Sequence, residues 1–278
     1  MGTAGPDSLQ GTNGADVIDG RDGEDVITGG DGNDRICGSS GGSDDDDADR
    51  LSGQSGSDRL EEMSLGLTRG GPHDDVARGL GTHYGGPGSD TLTGDIAYGG
   101  AGADVLTGTN ERDILEGAGG RDEIHGNGEA DRISGGAARD DLFGGPGPDR
   151  IDGDVAGSRR GKSDRIFGGA QRDLLWGNGG NDFVRGRAGD DSIWGNAGMD
   201  SLRGAEGNDV VKGGKGDDEI EGNRGRDGLE GANGDDFLAG GRASDSLFGD
   251  DGNDFLDGGS HFDYCYSGEG HRSCEEIH

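Results

Sequence analysis

Between residues 177 and 239 the chain repeats itself seven times at an unbroken interval of nine: GNGGNDFVR, GRAGDDSIW, GNAGMDSLR, GAEGNDVVK, GGKGDDEIE, GNRGRDGLE and GANGDDFLA. Each unit begins with Gly, carries Gly at position 4 and Asp at position 6, and places an apolar residue at position 8. A fixed period of this kind means a stack of like units rather than a globule. Positions 1 to 6 have turn composition, because Gly supplies positive φ without a Cβ clash and Asn and Asp tolerate it. Positions 7 to 9 predict a three-residue strand whose alternation sends position 8 to one face and positions 7 and 9 to the other. One inward residue in nine builds a thin two-sided coil. Each eighteen-residue turn gives two short strands, and the apolar residues of two sheets meet inside.

The Asp at position 6 carries the chemistry. A turn that exposes backbone carbonyls and ends in a carboxylate offers hard oxygen ligands, and Ca²⁺ takes six to eight of these at about 2.3–2.6 Å. Units two apart lie above one another on the same edge, so stacked turns can sandwich one ion. These residues resemble the RTX (haemolysin-type) calcium-binding repeat, G-G-x-G-x-D-x-U-x. The resemblance covers nearly the whole chain and implies an all-β, right-handed parallel β-roll, a β-solenoid with Ca²⁺ rows along both edges.

Composition agrees. Of 278 residues 67 are Gly and only 27% are hydrophobic, a balance that by itself reads as disordered. The formal net charge of −33 argues against nucleic acid and for a cation as partner. No apolar run is long enough for a transmembrane helix. Cys265 and Cys274 are spaced for a disulfide near the C-terminus, in keeping with an oxidising compartment, while Cys37 sits at an outward position 9. The repeats begin at Gly2, so the reading is that a secretion signal has been removed and Met1 added. The tail Cys274-Glu275-Glu276-Ile277-His278 lacks the hydrophobic terminal stretch usual in RTX proteins that use type I secretion, which leaves the export route open.

In chain order, four clean units start at Gly2, Gly11, Gly20 and Gly29. An insertion at 38–52 holds the acidic run Asp44-Asp45-Asp46-Asp47, read as a solvated loop. Residues 62–107 read as three units with five to eight extra residues each, either a protrusion or drifted sequence. From Gly108 the beat returns to Tyr266, with one insertion at 153–167. About 26 units span residues 2–266, and residues 267–278 read as a C-terminal cap over the open edge. Every unit has Asp at position 6. Position 4 departs from Gly at Asp47, His73, Glu111, Glu129, Ala138, Lys162, Gln171, Ala243 and His261, so ions at those turns are left open. The strongest metal ligands are Asp182, Asp191, Asp200, Asp209, Asp218, Asp227 and Asp236, then Asp7, Asp16, Asp25 and Asp34. Asp58, Asp90, Asp104, Asp122, Asp149 and Asp254 complete the set.

The catalytic readings fail on the sequence. None of the six His pairs with a Ser or Cys in a nucleophile motif, no H-E-x-x-H occurs, the Gly-rich turns precede no helix, and the spacing is not an EF-hand. The expectation is a secreted, non-enzymatic, monomeric protein that folds on binding Ca²⁺. The alternative is an extracellular adhesive or carbohydrate-binding scaffold. It would show the stacked pairs Trp176/Trp194, Phe143/Phe167 and Phe237/Phe255, or the 62–107 loops, to a glycan or cell surface; the plainer reading of those pairs is a ladder supporting the sheet.

Overall fold

A computed structural model describes residues 1–38, 48–154 and 161–267. The acidic run 44–47 and residues 268–278 of the proposed cap lie outside the described residues. Among the described residues every regular element is a β-strand. Contacts divide the chain into two compact units, Met1–Gly126 and Asn127–His278.

In the first unit fourteen strands, from Ser8–Gln10 to Glu123–His125, alternate between two parallel sheets, each strand pairing with the second before and after it. In the second unit fifteen strands, from Arg132–Ala137 to Tyr264–Tyr266, do the same. The result in each is a β-solenoid of two facing sheets. The register keeps like positions in columns: Val184 lies beside Leu202, which lies beside Ile220. These inward columns form the core. Ile27, Leu106, Ile133, Leu202 and Leu238 have no exposed surface, and each such side chain contributes roughly 1.5–3 kcal/mol.

Two expectations need correction. Most strands in the regular parts have six residues rather than three, running from position 7 through position 3, as in Ser201–Glu206. Its burial alternates so that Leu202 and Gly204 both point inward. The Gly at position 1 is therefore a second inward position, and pairing continues past it through position 3 of the next unit, as Asn178 beside Asn196 and Gly179 beside Ala197 show.

The second correction concerns residues 62–107. The extra residues there are three further strands, Leu67–Arg69, Thr82–Pro87 and Ile96–Ala101, which raise the count from about 26 repeats to 29 strands. Their inward residues are Thr68, His83 and Ala97, all buried, and they stack in one column. Polar or small side chains at that position hid them from a search for apolar residues. Thr68 Oγ1 and His83 Nδ1 are 2.7 Å apart, and His83 Nε2 lies 3.1 Å from the Gly79 carbonyl. A carbonyl can only accept, so Nε2 carries the proton and Nδ1 accepts from the Thr68 hydroxyl. A buried polar pair inside an apolar stack is thus fully satisfied.

Candidate metal centre

Each turn at the edge of the sheets ends in the position-6 Asp. The main-chain N–H of that Asp donates to Oδ1 of the Asp in the next layer, at 2.8 Å for Asp182 to Asp200, Asp200 to Asp218 and Asp218 to Asp236. The same bond links Asp191, Asp209 and Asp227, then Asp245. Asp149 and Asp254 belong to these rows in the second unit. In the first unit one row runs from Asp16 through Asp34, Asp58, Asp75, Asp90 and Asp104 to Asp122, and the other joins Asp7, Asp25 and Asp49. The structure therefore brings every sequence-predicted ligand into a carboxylate ladder.

The ladder uses only Oδ1. The second oxygen, Oδ2, is buried without a hydrogen-bond partner in Asp34, Asp58, Asp90, Asp104, Asp182, Asp191, Asp200, Asp209, Asp218, Asp227 and Asp236. Oδ2 points into the space left by the position-1 Gly of its own turn. A Cβ built on Gly195 would collide with Asp200 Oδ2 and would stand 2.8 Å from the carbonyl oxygen of Gly213, the position-1 residue one layer on. Gly213, Gly222 and Gly144 repeat the arrangement, with next-layer carbonyls at 2.9, 2.7 and 2.6 Å. A carboxylate and a carbonyl oxygen thus crowd one side-chain-free pocket in each of these turns. A buried acceptor without a donor costs roughly 1–3 kcal/mol, so a row of them calls for something positive.

Electrostatics point the same way. Burial, opposed by the hydrogen bond from the preceding Asp and reinforced by neighbouring carboxylates, lifts Asp200 to about 8 and Asp164 to about 9 from an ordinary 3.8. Burial lifts Asp182, Asp191 and Asp227 to about 6. Hard oxygen donors of this kind fit Ca²⁺. Among the described residues no three His, Cys, Asp or Glu side chains gather at one point. An ion here must therefore complete its shell with backbone carbonyls, which is what the position-1 pocket offers.

Asp7 and Asp16 differ. Thr3 donates its N–H (2.5 Å) and hydroxyl (2.9 Å) to Asp7 Oδ2, and Thr12 does the same for Asp16 at 2.6 and 2.9 Å. The hydrogen bonds from Thr3 hold the Asp7 carboxyl below its usual range. Thr109 N–H likewise caps Asp113 Oδ2 at 2.7 Å. Thr at position 2 was the sequence signal for this self-capped turn.

Sequence reasoning set aside turns without Gly at position 4. The structure shows His73, Ala138, Gln171 and Ala243 taking the positive φ themselves, at 97°, 92°, 79° and 84°, at roughly 1–2 kcal/mol each. Asp75, Asp173 and Asp245, in the turns of His73, Gln171 and Ala243, accordingly keep a buried Oδ2 without a partner and belong with the candidate ligands. Cys265 is in a disulfide; Cys274 lies outside the described residues.

A scan against family models matches the RTX calcium-binding nonapeptide repeat at residues 1–36, 84–115, 98–133, 125–155, 161–193, 194–229 and 230–265. No curated protein matches the chain.

Proposed function

This chain belongs to the RTX calcium-binding nonapeptide repeat family, and from that premise we propose that it is a secreted, non-enzymatic protein whose solenoid folds when Ca²⁺ fills the ladder turns. The family implies calcium binding in a β-roll. The observation that carries the rest is the row of buried Oδ2 atoms, each without a donor, with a next-layer carbonyl beside those of Asp200, Asp218 and Asp227. Asp182, Asp191, Asp200, Asp209, Asp218, Asp227 and Asp236 would hold ions most directly. A bound ion neutralises carboxylates that burial otherwise forces toward the protonated form. Ions that bind only the folded chain stabilise it by RT ln(1 + [Ca²⁺]/Kd), about 1.4 kcal/mol per site at ten times Kd. Low cytosolic Ca²⁺ would leave the chain open until export. Among the described residues no helix is long and apolar enough to cross a membrane.

The test is circular dichroism during a Ca²⁺ titration from excess chelator. The strand signal should appear with Ca²⁺. A full signal in chelator that Ca²⁺ leaves unchanged rules the reading out.

The adhesive alternative gains no support from the aromatic pairs. Trp176 and Trp194 stack face to face at 4.8 Å, and the Arg150 guanidinium covers the Trp176 ring at 4.1 Å. Phe143 and Phe167 stack at 5.2 Å, and Phe237 and Phe255 at 5.2 Å. These rings spend their faces on one another, which is the ladder arrangement that supports a sheet.

A further inference from the structure

The family matches stop at residue 36 and resume at residue 84. Between them one turn loses both the position-1 Gly and the position-6 Asp. Position 1 of the unit after Glu61 is Glu62 instead of Gly, and the short turn that follows has Gly66 where the ladder Asp belongs. Glu62 is fully buried, as is Asp49. Gly38 occupies position 1 one layer earlier, with its neighbour Cys37 in register with Glu61. A Cβ on Gly38 would collide with both Glu62 Oε2 and Asp49 Oδ2. In the regular turns that space holds one carboxylate oxygen and one neutral carbonyl oxygen; here it holds two carboxylate oxygens.

Each carboxylate is anchored by its other oxygen. Glu62 Oε1 accepts from the Ser64 N–H (3.0 Å) and hydroxyl (2.6 Å). Asp49 Oδ1 accepts the Asp25 N–H at 2.7 Å. The remaining oxygens, Glu62 Oε2 and Asp49 Oδ2, are buried with no partner, and among the described residues neither side chain makes an ion pair. Two buried carboxyls aimed into one space the size of a methyl group need either a cation or a shared proton between them.

We propose that Asp49 and Glu62 form a divalent-cation site of their own composition, with Glu62 reaching back from the shortened turn to replace the missing ladder Asp. The ligand is a hard divalent ion, Ca²⁺ in the setting this protein works in. The proposal rests on the calcium reading of the ladder but differs from it in ligand set. Two side-chain carboxylates neutralise one ion completely, so this site needs no charge shared with the layers on either side. Its place also matters. It closes the row Asp7, Asp25, Asp49 where turns of the repeat type give way to short ones.

The test is a pair of crystal structures grown in millimolar CaCl₂, wild type and Glu62→Gln, with anomalous maps recorded at long wavelength. The wild type should show a calcium peak touching Glu62 Oε2 and Asp49 Oδ2. Glu62→Gln should lose that peak while those beside Gly195 and Gly213 remain. Ladder turns that hold calcium while the wild-type Gly38 space shows none would mean the two carboxyls share a proton, and the proposal fails. A peak that survives in Glu62→Gln overturns it too. Absence of calcium from every turn would sink the broader reading along with this one. Should Glu62→Gln not crystallise, the wild-type map alone decides whether the ion is there, and Asp49→Asn supplies the second variant.

Discussion

Residues 62–107 and residues 174–260 keep the same strand beat over different edges. In the second stretch both edges turn through the Gly-rich, Asp-ending sequence, and ladder bonds span 18 residues at every step, as from Asp191 to Asp209. In the first, one edge keeps its ladder while the opposite turns shrink. The bonds from Asp58, Asp75 and Asp90 reach over 17, 15 and 14 residues. Strand pairing and ion turns are thus separable. Parallel pairing needs only an inward residue in register, and Thr68, His83 and Ala97 suffice. The ion turn needs Gly at position 1 and Asp at position 6. An edge that gives up those residues replaces a border of ladder carboxylates with a short turn and, at His83, a hydrogen-bonded core.

The most severe way to break the comparison is to remove calcium. Hydrogen exchange in chelator should show amides of 174–260 losing protection by the largest factor, because each layer there gives up ions at both edges. The strands of 62–107 lose ions at one edge and should change less. Equal loss in both would mean the short-turn edge depends on metal as well.

Next come matched glycine substitutions. Gly213→Ala drives a Cβ into Asp218 Oδ2 and toward the Gly231 carbonyl. Overpacking costs about 1–3 kcal/mol, and a site held at a hundred times its Kd adds about 2.7 kcal/mol when lost. Gly94→Ala instead drives a Cβ into the His83 ring and the Gly79 carbonyl. It should lower stability by about 1–3 kcal/mol through the lost hydrogen bond and leave the calcium midpoint where it was. Denaturation across a calcium series separates the two.

Thr68→Val is milder. It removes the hydroxyl donor to His83 Nδ1 and leaves a buried acceptor unsatisfied, at about 1–3 kcal/mol. The loss should be the same at low and high Ca²⁺ in urea unfolding.

The repeated turns were legible in the sequence because three residue types recur at fixed offsets, each with one physical job. The short half-turns were not. Thr68, His83 and Ala97 follow the preceding inward residues at spacings other than nine, and none is a large aliphatic side chain. The second inward position, the Gly at position 1, was also hidden, since Gly in a strand reads as a turn signal until the pairing is seen. The division of labour between Oδ1 and Oδ2 depends on stacking and has no trace in the residue order. Glu62 stands where the pattern requires Gly, and only the fold shows that its carboxylate returns to Asp49.

The smallest effect expected is a difference in the sign of the acid response without metal. Burial raises the ladder carboxyls, to about 6 for Asp182 and about 8 for Asp200. Their contribution to metal-free stability is therefore complete below the ordinary 3.8 and is lost as pH rises through about 6 to 8. Burial lowers His83 below its ordinary 6.5. Its contribution is present above that value and is lost as pH falls toward the folded value. In chelator, acidification should raise exchange protection around Asp182 and Asp200 and lower it around His83. The same direction at both places would show that one of the two burials is misassigned.

The ladder bond also has a direction. In the ladder bonds of the described residues the amide of the earlier Asp is satisfied by the carboxylate of the layer after it, from Asp7 and Asp25 to Asp245 and Asp263. A half-built stack therefore exposes hungry amides at one face and spare carboxylates at the other. Growth by adding later sequence seals what is already laid down, whereas growth by adding earlier sequence supplies only donors to acceptors already in place. The two ends of a stack are therefore chemically unlike, and a segment added at one meets a different surface from a segment added at the other.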